Sequence, residues 1–387
     1  MGIVKHNRFI YNCYYYTFSF FLKLLKVFVS SDNKLALFVS YGGRYFNDSP
    51  KCLYEAMQKD PRFNGFRLVW AFRNPSQHPE VSDKVKIDSL PYFITALKAR
   101  LWITNVHIER GLDFKGNNTF YFNTTHTILP KLIGKDVDRE KSFTTNANSK
   151  CDCYSVQCEL EKEILKRAKD KVKIIGYPKS DVIANYTDEE RLNYRKKLNL
   201  PDNKKVILYA PTYRENSPTQ MQCPVDFKKW EDLLGKDFIV LFRAHPVVAN
   251  NTKIDSSTGF VFDVSSYADN NELMIASDIL ISDYSGIFFE FGIQDKPMFC
   301  YAYDYDEYTK LRGLYFDIRE ELPGGYMSEN ELLDYIKTGN NDEIMEKVKA
   351  FRSKYITAYG KATSQSLDII YENIKNEDTN SLPVSME

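Results

Sequence analysis

Between residues 18 and 29 the apolar positions Phe18, Phe21, Leu22, Leu25, Phe28 and Val29 recur at helical spacing, while Ser19, Lys23, Lys26 and Ser30 fall on the opposite side. That pattern predicts an amphipathic helix. Beyond it the chain changes to short apolar runs separated by helical stretches. Leu35–Ser40, Phe66–Phe72, Leu101–Asn105 and Thr119–Asn123 make one series, and Val206–Pro211, Phe238–Phe242, Phe260–Val264, Ile279–Ser282 and Met298–Tyr301 make a second. Such alternation predicts an α/β protein of parallel sheets covered by helices, and two series predict two Rossmann-like halves. The polar stretch 188–205 lies near the join, and 329–376 has a helical pattern. The expected division is an amphipathic, membrane-associating N-terminal segment 1–31, a first domain 32–180, a second domain 181–376 carrying the C-terminal helices, and a flexible tail 377–387.

The 387 residues suit two such domains. Lys+Arg 52 balances Asp+Glu 52, so the net charge is zero, which excludes a general nucleic-acid binder. The first 31 residues break that balance, with Lys5, Arg8, Lys23 and Lys26 and no acidic residue. The uncharged run from 9 to 22 is 14 residues, short of the ~20 that cross a bilayer. Two readings of the segment stand: a helix lying on an anionic membrane surface, or one packed on the protein's own core or in homo-oligomer contacts. Seven cysteines do not make a disulfide scaffold. Cys151, Cys153 and Cys158 cluster without a second Cys or His pair at zinc spacing, so buried thiols are expected and a metal is not.

The densest polar signal is Ser282-Asp283-Tyr284-Ser285-Gly286, which follows the apolar Ile279–Ile281 and precedes Ile287–Phe291. It predicts a buried strand, a tight turn and a helix starting near Ser285, where free N–H groups and a helix dipole favour a phosphate. Asp283 and Ser285 equally suit plain helix capping. Thr212 and Arg214 follow another apolar strand, and Arg243 and His245 a third. Strand ends in an open α/β sheet share one edge, so Arg214, Arg243, His245 and Ser285 are expected to converge on a crevice suited to a diphosphate, without a metal. Surface ion pairs for the arginines and a structural hydrogen bond for His245 are the alternatives. In the first half, His126 follows the strand-like 119–123, where an imidazole can take a proton from an incoming hydroxyl near neutral pH. An inert lone histidine is the competing reading.

Taken together, these residues resemble the CDP-glycerol glycerophosphotransferase family, the polymerases and primases of teichoic acid and related capsules. The resemblance runs from about Leu35 to about Tyr371 and is densest from Ser282 through Asp295-Lys296-Pro297, Tyr301–Asp304, Tyr308 and Arg312–Asp317 to Leu322-Pro323-Gly324. Gly176–Asp181 resembles the family's Gly-Tyr-Pro-Arg-Asn-Asp segment, and Tyr209–Arg214 and Arg243–Pro246 resemble its strand-end motifs. The resemblance implies a GT-B fold, two Rossmann-like domains facing a cleft, with the cytidine nucleotide on the C-terminal domain and the acceptor on the N-terminal one. It implies metal-independent transfer at the inner membrane face with no cofactor. The family's catalytic histidine, in a Thr-Trp-His-Gly motif, corresponds to His126, although here Thr125 and Thr127 flank it and the Trp and Gly are absent.

The implied reaction is transfer of glycerol phosphate from CDP-glycerol to a lipid-linked saccharide or polyol-phosphate chain. His126 and His245 are the implied catalytic residues, and Thr212, Arg214, Arg243, Asp283, Tyr284, Ser285, Gly286 and Tyr177 the implied substrate contacts. The same motifs leave open CDP-ribitol as donor, a GT-B glycosyltransferase or epimerase acting on a nucleotide sugar, and a membrane-bound scaffold with a decayed site.

Overall fold

A computed structural model describes residues 8–127, 129–133, 150–212, 214, 225–244, 254–338 and 341–375. Every apolar run named above forms a strand. The first sheet comprises β1 (Asp32–Val39), β2 (Arg67–Phe72), β3 (Lys84–Lys86), β4 (Ala99–Thr104), β5 (Phe120–Asn123), β6 (Cys153–Val156) and β7 (Val172–Ile174). The second comprises β8 (Lys205–Tyr209), β9 (Phe238–Phe242), β10 (Val261–Asp263), β11 (Ile279–Ser282) and β12 (Met298–Cys300). Their orders are β3-β2-β1-β4-β5-β6-β7 and β10-β9-β8-β11-β12, and the paired strands run parallel. Leu35–Val39 and Val206–Tyr209 are buried throughout, as expected where helices cover both faces of a parallel sheet. In each sheet the order reverses beside the first strand, between β1 and β4 and between β8 and β11. Doubly wound folds bind ligands at the carboxyl ends of the strands at that point.

The chain divides into two compact units, one of Met1–His126, Asp138–Asp181 and Ala358–Glu387, the other of Thr127–Val137 and Val182–Thr357. The expected assignment of all C-terminal helices to the second domain therefore fails for the last one, Ala362–Ile374. Its Leu367 and Ile370 are buried with Leu53, Phe120 and Phe122 in the first unit's core. Asp181 fixes its start by accepting from the N–H groups of Ala362 and Thr363 at 2.9 and 2.7 Å. Gly176, at φ +85°, lets the chain pass beneath the 358–359 backbone, where a Cβ would lie 2.6 Å from the Ala358 carbonyl oxygen. The segment Thr127–Val137, expected in the first domain, belongs to the second unit.

The N-terminal helix spans Arg8–Phe28. It turns its polar edge inward: Ser19 is buried and its hydroxyl accepts from the Asp113 N–H at 2.8 Å, Lys23 pairs with Asp113 at 2.7 Å, and Lys26 donates to the Leu97 carbonyl at 2.6 Å. Leu22, expected on the apolar face, is buried with Tyr11, whereas Phe18, Phe21 and Phe28 are 52%, 57% and 79% exposed. Among the described residues no helix is long and apolar enough to cross a membrane.

Candidate functional site

At the second unit's switch point, β11 ends at Ser282 and the chain turns through Asp283, Tyr284, Ser285 and Gly286 into a helix that starts only at Ile287 and ends at Phe291. One turn of helix carries little macrodipole, so an anion here is met by individual N–H groups. Asp283 is buried, and its Oδ1 accepts from the N–H groups of Thr212 (2.9 Å) and Tyr284 (2.7 Å), which ties the ends of β8 and β11 together. Its Oδ2 accepts from Arg214 Nη2 at 2.9 Å. Asp304, just beyond β12, takes the rest of the fork, accepting from Arg214 Nε at 2.6 Å and Nη2 at 2.9 Å. Arg214 Nη1 donates to the Thr212 carbonyl. Burial opposes the Arg214 charge, but Asp283 and Asp304 outweigh it and keep the guanidinium protonated.

Aromatic rings complete the cluster. Tyr284 stacks on Tyr308 with centroids 3.7 Å apart, donates its hydroxyl to Asp304 at 3.0 Å, and has its acidity suppressed by burial and by both aspartates. The Arg214 guanidinium carbon lies 5.2 Å from the Tyr284 and Tyr308 centroids and 5.3 Å from that of Tyr303. Three donors beside this network are uncommitted: the Thr212 hydroxyl, whose oxygen is buried without a partner, and the N–H groups of Ser285 and Gly286, which have no acceptor among the described residues. The Ser285 hydroxyl accepts from the Ile287 N–H at 3.3 Å. A Cβ on Gly286 would lie 3.0 Å from Thr127 Cγ2, and the Thr127 hydroxyl donates to Glu290 at 2.9 Å, so a larger residue at 286 would displace that packing.

The expected convergence is partial. Arg214 and Ser285 lie in one turn network. Arg243 is elsewhere occupied, donating Nη1 to the carbonyls of Val264 (3.0 Å) and Tyr267 (2.9 Å), with burial lowering its basicity. His245 lies outside the described residues. Tyr177 is buried in the first unit, where its hydroxyl donates to Glu161 at 2.6 Å and neighbours the Thr125 hydroxyl.

His126, also in the first unit, is exposed at the end of β5. Thr125 before it has φ +50°, a left-handed kink held by its N–H on Asn123 (2.8 Å) and its hydroxyl on the Ser155 carbonyl (2.8 Å). The His126 Nδ1 lies 3.0 Å from the Asn105 carbonyl oxygen. A carbonyl only accepts, so Nδ1 carries the hydrogen and Nε2 of the neutral ring carries the lone pair a base needs. The Tyr41 ring packs edge-on at 5.5 Å. Asp304, Asn105 and Tyr41 were not singled out from sequence as site residues; Asp304 at the end of an apolar run carried the same strand-end signal as Asp283. The cysteines 151, 153 and 158 are buried thiols as expected, burial pushing Cys153 and Cys158 up to about 12, and no metal-holding cluster occurs among the described residues.

Residues 21–373 match the family model for CDP-glycerol:poly(glycerophosphate) glycerophosphotransferases. A teichoic acid glycerol-phosphate transferase of Staphylococcus aureus is 30% identical over 93% of this chain and 97% of its own length. A teichoic acid poly(glycerol phosphate) polymerase of Staphylococcus epidermidis is 34% identical over 89% of this chain, which spans about half of that protein (51%). Among solved structures, the wall teichoic acid polymerase TagF superposes with a TM-score of 0.81 at 31% identity, covering 92% of this chain and 93% of that one, so the fold is of the GT-B type.

Proposed function

The chain belongs to the CDP-glycerol:poly(glycerophosphate) glycerophosphotransferase family, and from that membership we propose that it moves glycerol phosphate from CDP-glycerol onto a hydroxyl of a lipid-linked or polyol-phosphate acceptor, releasing CMP, in the building of teichoic acid or a related polymer. The observation that carries this reading is the second unit's turn: a buried, unpartnered Thr212 hydroxyl and two open N–H groups gathered at a switch point by Asp283. A buried unpaired hydroxyl is costly unless a ligand meets it, and a diphosphate can meet it and the two neighbouring N–H groups with several oxygens.

In the proposed reaction the acceptor O–H gives its proton to His126 Nε2 as its oxygen attacks the β-phosphorus of the donor. A new P–O bond forms, the bond from that phosphorus to the bridging oxygen breaks, and CMP leaves with the electron pair. Thr212, Ser285 and the turn N–H groups meet the charge that develops on the diphosphate. Arg214 acts through Asp283 and Asp304 as a positioning residue, because its fork is already committed to them. The helix Arg8–Phe28, with its polar edge docked and its aromatic face turned outward, supports attachment to an anionic membrane surface where such acceptors reside.

The test incubates the full chain with CDP-glycerol and a lipid-linked acceptor, with CDP-ribitol in a parallel arm. One CMP per glycerol phosphate added to the acceptor is expected. Preference for CDP-ribitol would reassign the donor, and release of a nucleoside diphosphate with a glycosylated product would overturn the reaction class.

A further inference from the structure

The first unit has its own switch point, between β1 and β4, and the reaction above uses only one edge of it. Past β1 the backbone enters the left-handed region at three successive residues, Tyr41, Gly42 and Gly43, with φ of 44°, 63° and 78°. The turn is held firmly. The Tyr41 N–H donates to Asn105 Oδ1 at 2.9 Å and its hydroxyl to Asp48 at 2.8 Å, while the Arg73 N–H donates to the Gly43 carbonyl at 2.6 Å and its Nε to the Gly42 carbonyl at 3.1 Å.

Three arginines surround this turn. A Cβ placed on Gly42 would lie 3.6 Å from Arg110 Nη1 and 3.7 Å from Arg73 Nη2, so two guanidinium groups flank the same small residue. Arg44 follows in the turn and is exposed. Burial, reinforced by repulsion from Arg44 and Arg110, lowers the basicity of Arg73. The carboxylate facing the group is Asp88, which accepts from Arg110 at 2.6 and 2.8 Å. Arg44 and Arg73 form no ion pair among the described residues, so the cluster carries excess positive charge in a chain whose net charge is zero. Assembling like charges opposes folding, and a phosphate, which matches the arginine fork, relieves it.

The cluster is joined to the proposed base. Asn105 accepts from the Tyr41 N–H and offers its carbonyl to His126, and the Tyr41 ring packs on the imidazole. On its other side, Tyr14 of the N-terminal helix feels the charges of Asp88 and Arg110. We propose that Arg44, Arg73 and Arg110, set round the Tyr41–Gly43 turn, bind a phosphate group of the acceptor and so deliver the acceptor's terminal hydroxyl to His126. This deepens the functional reading and rests on it in one respect, that the acceptor carries phosphate.

The test measures binding first, without turnover: calorimetric titration of the full chain with a soluble three-unit glycerol phosphate oligomer, and separately with CDP-glycerol. The double variant Arg44→Gln/Arg73→Gln is expected to lose about tenfold or more in affinity for the oligomer and none for CDP-glycerol. Arg73→Lys, which retains the charge, is expected to recover part of the loss, and Arg67→Gln, an exposed arginine paired with Asp83 on the same sheet, none of it to lose. In transfer assays the double variant should raise the acceptor KM and leave the donor KM alone. An unchanged oligomer affinity, or an equal loss for CDP-glycerol, overturns the proposal. A third arm uses phosphatidylglycerol vesicles. Loss of vesicle binding with oligomer binding intact would make the arginines a lipid-headgroup contact and equally overturn it. Oligomer binding in a chain that never releases CMP would sink the reaction and leave the site standing.

Discussion

The Thr212 hydroxyl shows how a single group separates stability from function. Buried without a partner, it costs the folded protein about 1–3 kcal/mol of unmet hydrogen bonding. Thr212→Val, nearly isosteric, is therefore expected to raise the melting temperature while weakening CDP-glycerol binding; calorimetry and donor titration read the two effects, and a parallel fall in both would assign the hydroxyl a purely structural role. Glu109 gives a pH signature. It is buried, one carboxylate oxygen lacks a partner, and burial pushes it up to about 7 despite hydrogen bonds from Tyr121 and the Ile108 N–H. Its folded value lies above the unfolded one, so the native state holds the proton more tightly, and stability is lost as pH rises from about 4.5 to about 7. The loss is on the order of 3 kcal/mol, and Glu109→Gln, a mimic of the protonated acid, should flatten the slope seen in denaturant titrations between about pH 4.5 and about pH 7. At this scale the strand-end positions of Thr212, Asp283 and His126 were readable, because polar residues close an apolar run there. Asn105 closes the run 101–105 and offered the same signal, but its carbonyl as the partner of His126 and the left-handed turn at Tyr41 leave no mark in residue type.

Helices and strands were legible in proportion to how apolar they are. β1 and β8 are unbroken apolar runs, whereas β3 is Lys84-Val85-Lys86 at a sheet edge, and β6 and β7 mix polar residues into three or four positions. Pattern alone does not separate such short strands from turns. The last helix was legible as a helix but not by its partner, since an apolar stripe does not say which core it joins. Ile370→Ala should cost about 3 kcal/mol in a chemical melt, the usual cost of emptying a close-packed site; a negligible cost would detach this helix from the first unit's core. The N-terminal helix is amphipathic as expected, yet its docked side is mixed, with Tyr11 and Leu22 buried beside Ser19 and with Lys26 hydrogen-bonded to Leu97. Replacing Phe18, Phe21 and Phe28 with Ser is expected to abolish co-sedimentation with anionic vesicles while transfer to a short soluble acceptor persists. Undiminished sedimentation would show that the aromatic face is not the contact.

Across the whole molecule, two parallel sheets with reversed strand order each present polar groups past the carboxyl ends of their strands: on one unit the His126 imidazole, proposed above as the base, and on the other a turn with uncommitted donors. The alternation of apolar runs was enough to expect both sheets. Their combination into one reaction came from the strand-end motifs, since neither sheet alone distinguishes a phosphotransferase from other enzymes of this fold. The account depends most on His126, whose Nε2 is the proposed proton acceptor. His126→Ala is the direct measurement, with CMP release and CDP-glycerol affinity determined on the same preparation. A fall in CMP release of about 100-fold or more with donor affinity unchanged is the expected result; turnover near that of the unaltered protein would contradict the account.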